Sequence, residues 1–298
     1  MSKIDLKGMG VALITPFKED ESIDFEALSS LIEYQIENGT DYLVALGTTG
    51  ETPTLGDDEK SQLAEFIASK VNRRIPIILG EGGNDTRAIV DKLKKKNYPK
   101  GIDGILSVVP YYSKPTQGGI YQHYKAIAEA SPYPVILYNV PGRTGVNMTA
   151  ETTLRLANGF RNIIATKEAS GNMCQINEII RHKPTGFGVI SGDDGIAFPL
   201  ATMGSIGVIS VMGNAFPKEF GEMMRLALKG SIEDARAMHH QFSELFALLF
   251  ADGNPAGIKC LLHAMKRIEN RLRLPLTPVS DEIAVKIKSA LTSMNINH

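Results

Sequence analysis

Apolar residues along the chain gather in eight short runs, separated by longer segments in which they recur every three or four positions. The short runs are MGVALITPF (9–17), YLVALG (42–47), IPIILGEG (75–82), GILSVVP (104–110), PVILYNVP (134–141), IIATKEA (163–169), FGVISGD (187–193) and GVISVMG (207–213). Each is short enough and apolar enough to predict a buried β-strand. The longer segments, among them DFEALSSLIEYQIEN (24–38), DDEKSQLAEFIASKV (57–71), TRAIVDKLKKKN (86–97) and MCQINEIIRHK (173–183), predict helices with one apolar face. Strands apolar on both faces and separated by helices imply a parallel sheet covered by helices. Eight such units predict an α/β chain folded as a closed (β/α)8 TIM barrel. Periodicity alone leaves an open doubly wound sheet as the alternative.

Beyond the eighth unit, which ends with FPKEFGEMMRLALKG (216–230), helical patterns continue over 231–250, 255–268 and 281–291. They predict additional helices packed on the barrel. The chain therefore reads as a catalytic barrel over 1–230 and a C-terminal helical extension over 231–298. GNPAG, with Pro255 at a first helical position, and RLPLTPVSD are short breaks rather than linkers.

Composition narrows the function classes. The 298 residues carry a formal net charge of −1, with 22% charged and 43% hydrophobic residues, which provides no strong field for nucleic acid or an anionic membrane. The lysine run Lys94-Lys95-Lys96 falls on a predicted helix and reads as a solvated face. The N-terminal MSKIDLKGMG lacks an apolar signal core, and no stretch approaches the roughly 20 apolar residues of a membrane span. The expected location is the cytoplasm. Cys174 and Cys260 stand far apart and outside any C-x-x-C spacing, so both are expected to be free, buried thiols.

In a (β/α)8 barrel, reactive groups gather at the C-terminal ends of the strands. Here those ends read TPF, GTTGE, GEGGN, PYY, YNVPGRTG, KEASG, SGDDG and VMGN. Lys167 stands at the end of the sixth apolar run. Projecting into the barrel mouth, it would lose water around its ammonium, a change that favours a nucleophilic amine able to attack a keto group. The competing reading pairs it with Glu168 as a structural ion pair. Tyr138, at the end of the adjacent strand, would offer a phenol for proton transfer, or simply a core ring with a satisfied hydroxyl. GTTGE (47–51) brings hydroxyls and backbone N–H groups suited to a small carboxylate. The spacing of a phosphate-binding loop is absent, and Asp193-Asp194 after strand seven disfavours a sugar phosphate. His239 and His240 are helix neighbours pointing about 100° apart, so no metal is indicated. No cofactor is implied.

GTTGE, the tandem Tyr111-Tyr112 of PYYSKPTQ, YNVPGRTG, the lysine of TKEASG, SGDD and GVISV occur in this order at the strand ends. With them the chain resembles the dihydrodipicolinate synthase (4-hydroxy-tetrahydrodipicolinate synthase) family over essentially its whole length. N-acetylneuraminate lyase and 2-keto-3-deoxygluconate aldolase are similar at the level of fold and share the Schiff-base lysine, but usually carry a serine in the first motif and lack the arginine of YNVPGRTG. The resemblance implies a lyase that condenses pyruvate with L-aspartate 4-semialdehyde. A pyruvate-dependent sugar-acid aldolase, such as N-acetylneuraminate lyase, is the alternative, and a non-catalytic keto-acid-binding barrel a more distant one.

Carried over by residue, the resemblance makes Lys167 the imine former and Tyr138 the proton donor and acceptor. Thr48 and Tyr112 continue a relay to solvent, and Thr49 holds the pyruvate carboxylate. Arg143 binds the carboxylate of the semialdehyde, while Gly192 and Ile209 line the lysine's pocket. The family further implies a homotetramer built from tight dimers, with Tyr111 crossing between subunits. Lysine-inhibited members bind L-lysine at the dimer interface through polar groups on the helix after GTTGE, an asparagine after strand three, a glutamate four residues later and the first tandem tyrosine. Asn84 and Tyr111 are present here. Ala88 takes the glutamate's place, and the helix carries Asp57 and Lys60, so feedback inhibition by L-lysine is not expected.

Overall fold

The computed structural model describes residues 4–95 and 98–294. Eight parallel strands close on themselves in chain order, with β1 paired to β8. They are β1 (Gly8–Ala12), β2 (Tyr42–Ala45), β3 (Ile77–Gly80), β4 (Gly104–Val108), β5 (Val135–Asn139), β6 (Ile163–Glu168), β7 (Gly188–Ser191) and β8 (Gly207–Ser210). Every predicted strand is present, shorter than its apolar run because the flanking residues belong to the loops. The barrel is closed, which removes the open-sheet alternative.

The helices are α1 (Phe25–Glu37), α2 (Asp57–Val71), α3 (Thr86–Lys95), α4 (Gln117–Ala130), α5 (Pro141–Thr144), α6 (Ala150–Gly159), α7 (Met173–His182), α8 (Ala197–Met203), α9 (Pro217–Lys229), α10 (Ile232–Gln241), α11 (Ser243–Ala251), α12 (Ala256–Ala264) and α13 (Asp281–Ser293). Their ends follow from local chemistry. The Asp24 carboxylate accepts from the backbone N–H groups of Glu26 and Ala27 and so starts α1. Pro217 opens α9, and Gly230 ends it in the left-handed region. The third lysine of the predicted solvated run, Lys96, lies outside the described residues with Asn97, as do residues 1–3 and 295–298.

Two expectations change at the C-terminal end. The helix predicted over 231–250 is two helices, α10 and α11, meeting at Phe242, whose buried ring packs on Phe216 and Phe220. α12 begins at Ala256, with Pro255 just before it. Buried side chains of α10 to α13, among them Phe242, Leu249, Ile258 and Ile287, share one apolar cluster with Val11 and Leu43 on the outer face of the barrel. No single described helix is long and apolar enough to cross a membrane.

Alternation along the strands sends one set of side chains inward. Tyr42, Val44, Ile78, Leu106, Ile136 and Ile190 belong to the cluster that fills the barrel. Gly10 on β1 makes room for Tyr42, since a Cβ there would fall 2.1 Å from the tyrosine ring. On β6 the alternation is broken once. Val135 pairs with Ile163, but the next residue, Ile136, pairs with Ala165, so Ile164 is an extra residue in the ladder. Ile163 belongs to the outer cluster, while Ile164 and Ala165 both pack with the inner one. Without that extra residue Lys167, four positions after Ile163, would face the helices; the bulge turns it into the barrel.

Candidate active site

Lys167 and Tyr138 are register partners on β6 and β5. The Lys167 Nζ lies 4.4 Å from the centre of the Tyr138 ring, and both residues are only 7% exposed. Glu168 takes the opposite face, and Lys167 forms no ion pair among the described residues. The structural ion pair that sequence left open is thereby excluded. Gly192, on the loop after β7, lets the lysine lie flat: a Cβ there would come within 3.0 Å of the Lys167 Cε and 2.7 Å of Ala169. Ile209 packs in the same interior cluster as Tyr138.

Above this layer, Thr48, Tyr111, Tyr138 and Arg143 line one cleft of about 360 Å³ at the C-terminal ends of the strands. Thr48 opens a short turn of 3-10 helix over Thr48–Gly50 and is half-buried. Arg143 rides on the single turn of α5 and is exposed at the rim, its Nη2 3.5 Å from the backbone oxygen of Asn254. Thr49 is buried beside the cleft, and its Oγ1 accepts from the Asn254 side-chain amide at 3.0 Å.

The tandem tyrosines differ in exposure. Tyr111, assigned to a neighbouring subunit, lines the cleft of its own chain. Tyr112, assigned to a relay within its own chain, is 88% exposed on a left-handed backbone with φ 72° and does not reach the cleft. A non-glycine residue held in that region carries steric strain, and here it turns the ring outward.

The two carboxylates after β7 serve the backbone. Asp194 is buried and accepts from the N–H groups of Val211 and Met212 at 3.0 and 2.8 Å, closing the end of β8; burial pushes its carboxyl up to about 6. Asp193 accepts from the Gly195 N–H. Of the cysteines, Cys260 is buried but Cys174 is exposed, because α7 buries Ile176 and Ile179 on the face away from it.

Sequence reasoning missed the part of the site built from the C-terminal helices. Asn254, read only as part of a break, contacts Thr49 and Arg143 and is buried. Lys259 on α12 is completely buried, forms an ion pair with Glu51 of GTTGE, donates to the backbone oxygen of Arg271 at 2.8 Å and stacks on Phe17. Burial lowers its ammonium to about 8 against the pull of Glu51. The signal was the same as for Lys167, a lysine in an apolar run (AGIKCLLHA). Among the described residues one lysine has a buried carboxylate partner and the other does not.

Comparison with known proteins gives one consistent result. The model of the "Dihydrodipicolinate synthetase family" matches residues 5–294. The chain is 63% identical over 296 residues, 99% of both sequences, to the 4-hydroxy-tetrahydrodipicolinate synthase of Parabacteroides distasonis. It superposes on the dihydrodipicolinate synthase of Aquifex aeolicus with a TM-score of 0.93 at 42% identity, covering 97% of this chain and 98% of that one. With the chloride-inhibited dihydrodipicolinate synthase of Acinetobacter baumannii complexed with pyruvate, the TM-score is 0.94 at 41% identity, covering 98% and 100%.

Proposed function

The chain belongs to the dihydrodipicolinate synthetase family, and from that premise and the mouth shared by Lys167, Tyr138 and Arg143 we propose that it condenses pyruvate with L-aspartate 4-semialdehyde. The activity is that of a 4-hydroxy-tetrahydrodipicolinate synthase, a lyase of lysine and diaminopimelate biosynthesis. The observation that carries the residue assignment is the inward register pair of amine and phenol, with no competing carboxylate paired to the lysine among the described residues.

The Lys167 amine attacks the keto carbon of pyruvate, and water leaves as the imine forms. Loss of a methyl proton gives an enamine, whose carbon attacks the aldehyde of the second substrate. That substrate's own amine then adds to the imine carbon, and Lys167 departs as the ring closes, so one water is released overall. Tyr138 carries the protons, with the Thr48 hydroxyl next in line. The Thr49 Oγ1 accepts from Asn254, which leaves its hydroxyl proton for the pyruvate carboxylate. Arg143 at the rim receives the carboxylate of the semialdehyde, a match for its planar fork. A sugar-acid aldolase would need hydroxyl-binding groups where Arg143 stands.

The outward ring of Tyr112 supports a reading in which that residue sits at a subunit boundary of a homotetramer and the relay is completed in the assembly. The C-terminal helices belong to the same catalytic unit as the barrel, since Asn254 and Lys259 hold the loop that carries Thr48 and Thr49. A coupled assay with both substrates tests the activity; turnover of a sugar acid in preference to the semialdehyde would reject it.

A further inference from the structure

The residues next to the catalytic pair form a second pair facing the other way. Asn139 and Glu168 are register partners on β5 and β6, both buried, with their side chains turned from the mouth toward the segment 147–148 and α7. The Glu168 carboxylate accepts from Asn139 Nδ2 at 2.5 Å, Ser170 Oγ at 2.6 Å and Gln175 Nε2 at 3.4 Å. All three donors are neutral, and burial pushes the carboxyl above the usual range. A buried carboxylate without a cation is costly to keep, which asks for a function.

Its acceptor-only chemistry gives the network one direction. With Nδ2 drawn to Glu168, the Asn139 amide must present Oδ1 to the Met148 N–H, 3.0 Å away, while Nδ2 also reaches Asn147 Oδ1 at 2.8 Å. Asn147 and Gln175 exchange hydrogen bonds at 2.7 and 3.2 Å. Residues 139 and 147–148 are the two ends of the segment that carries α5 and Arg143. Both ends are thus fastened to β6 and α7 through one carboxylate.

We propose that Glu168 is a positioning residue for the second substrate: through Asn139 and Asn147 it fixes the segment 140–146 so that Arg143 meets the semialdehyde carboxylate. The inference rests on the role given to Arg143 above. Lys167, on the opposite face of the strand, does not depend on the network.

In the full-length enzyme, Glu168→Gln keeps the volume but sets an amide donor against donors. It is expected to raise KM for L-aspartate 4-semialdehyde about tenfold, with kcat changed less than about threefold. Trapping of pyruvate on Lys167 by borohydride is expected to proceed at the wild-type rate. Because Glu168 acts through Arg143, adding Glu168→Gln to Arg143→Ala should leave KM where Arg143→Ala alone puts it. Asn147→Ala, at the half-buried end of the network, serves as a second variant, with a smaller shift in the same direction that also vanishes on the Arg143→Ala background. Slower pyruvate trapping in step with condensation, or effects that multiply in the double variant, would overturn the proposal. Failure of the functional reading has its own signature, a wild-type enzyme that traps pyruvate yet does not condense the semialdehyde, and that result would overturn both.

Discussion

Lys167 and Tyr138 face each other across the β5–β6 ladder because one extra residue, Ile164, resets the alternation of β6 four positions upstream of the β-strand's end. The consequence is a division of labour along two adjacent strands. The inward pair holds the amine and the phenol, and the outward pair, Asn139 and Glu168, secures the segment bearing Arg143.

In the role proposed for it, Arg143 meets only the second substrate. Arg143→Ala should therefore raise KM for L-aspartate 4-semialdehyde by a factor on the order of 10 to 100, the worth of a lost charge-assisted pair. Imine formation with pyruvate should be unchanged. Steady-state kinetics beside single-turnover trapping separates the two, and an equal loss in both steps would reject the role.

The Lys259–Glu51 pair is the opposite case of a buried lysine. Lys259→Met leaves the Glu51 carboxylate in the core without its cation, at a cost of about 3 to 5 kcal/mol. Glu51 has a left-handed backbone directly after Gly50, so the same change should also raise KM for pyruvate. Replacing Glu51 by Gln as well should recover most of the stability. Urea unfolding of the three variants checks this; a loss below about 1 kcal/mol in Lys259→Met would contradict it.

How much of this was legible beforehand varies with the physics involved. Strand identity rests on local hydrophobicity, and all eight runs became strands. The closure of the barrel and the inward turn of Lys167 depend on pairing between distant segments, and a one-residue bulge leaves no trace in an apolar run such as IIATKEA. That Tyr138, Thr48 and Arg143 would share one cleft was legible because strand ends converge in this fold. Asn254 and Lys259 were not, because nothing local in GNPAG or AGIKCLLHA says that it folds back over GTTGE. The orientation of the tandem tyrosines was not legible for a related reason: the left-handed backbone at Tyr112 decides which ring turns outward.

Acid stability should report His123, whose ring is buried, hydrogen-bonded to Thr86 and held down at about 4 by burial. Between its ordinary value of about 6.5 and about 4, the unfolded chain binds a proton that the folded chain refuses. Stability from this group is therefore complete above pH 6.5 and falls with acidification to pH 4, by on the order of 3 kcal/mol. Asp194, raised to about 6, works in the opposite sense between about pH 4 and 6. Comparing wild type with His123→Gln removes that offset. The wild type should lose more stability than the variant from pH 6.5 to 4, and parallel curves would contradict the assignment.

L-Lysine should be a poor inhibitor. Ala88 offers no carboxylate, and Lys60, which lines the cleft beside Tyr111, adds a like charge. Glu81 is no substitute, since its carboxylate accepts from the Tyr98 hydroxyl at 3.0 Å and lies 4.0 Å from Lys92. Two lost or repulsive contacts weaken binding by roughly a hundredfold. Titration into the condensation assay should give no half-inhibition below about 1 mM, an affinity of about 4 kcal/mol; half-inhibition under that concentration would show a rebuilt site.

Covalent catalysis here requires that a single amine, Lys167, carry the substrate. Incubating the enzyme with pyruvate, reducing with borohydride and mapping the peptides tests it directly. One stable adduct is expected, on the peptide containing Lys167, disappearing in Lys167→Ala together with a fall in rate of several orders of magnitude. An adduct on another lysine, Lys259 included, or undiminished condensation by Lys167→Ala, would contradict it.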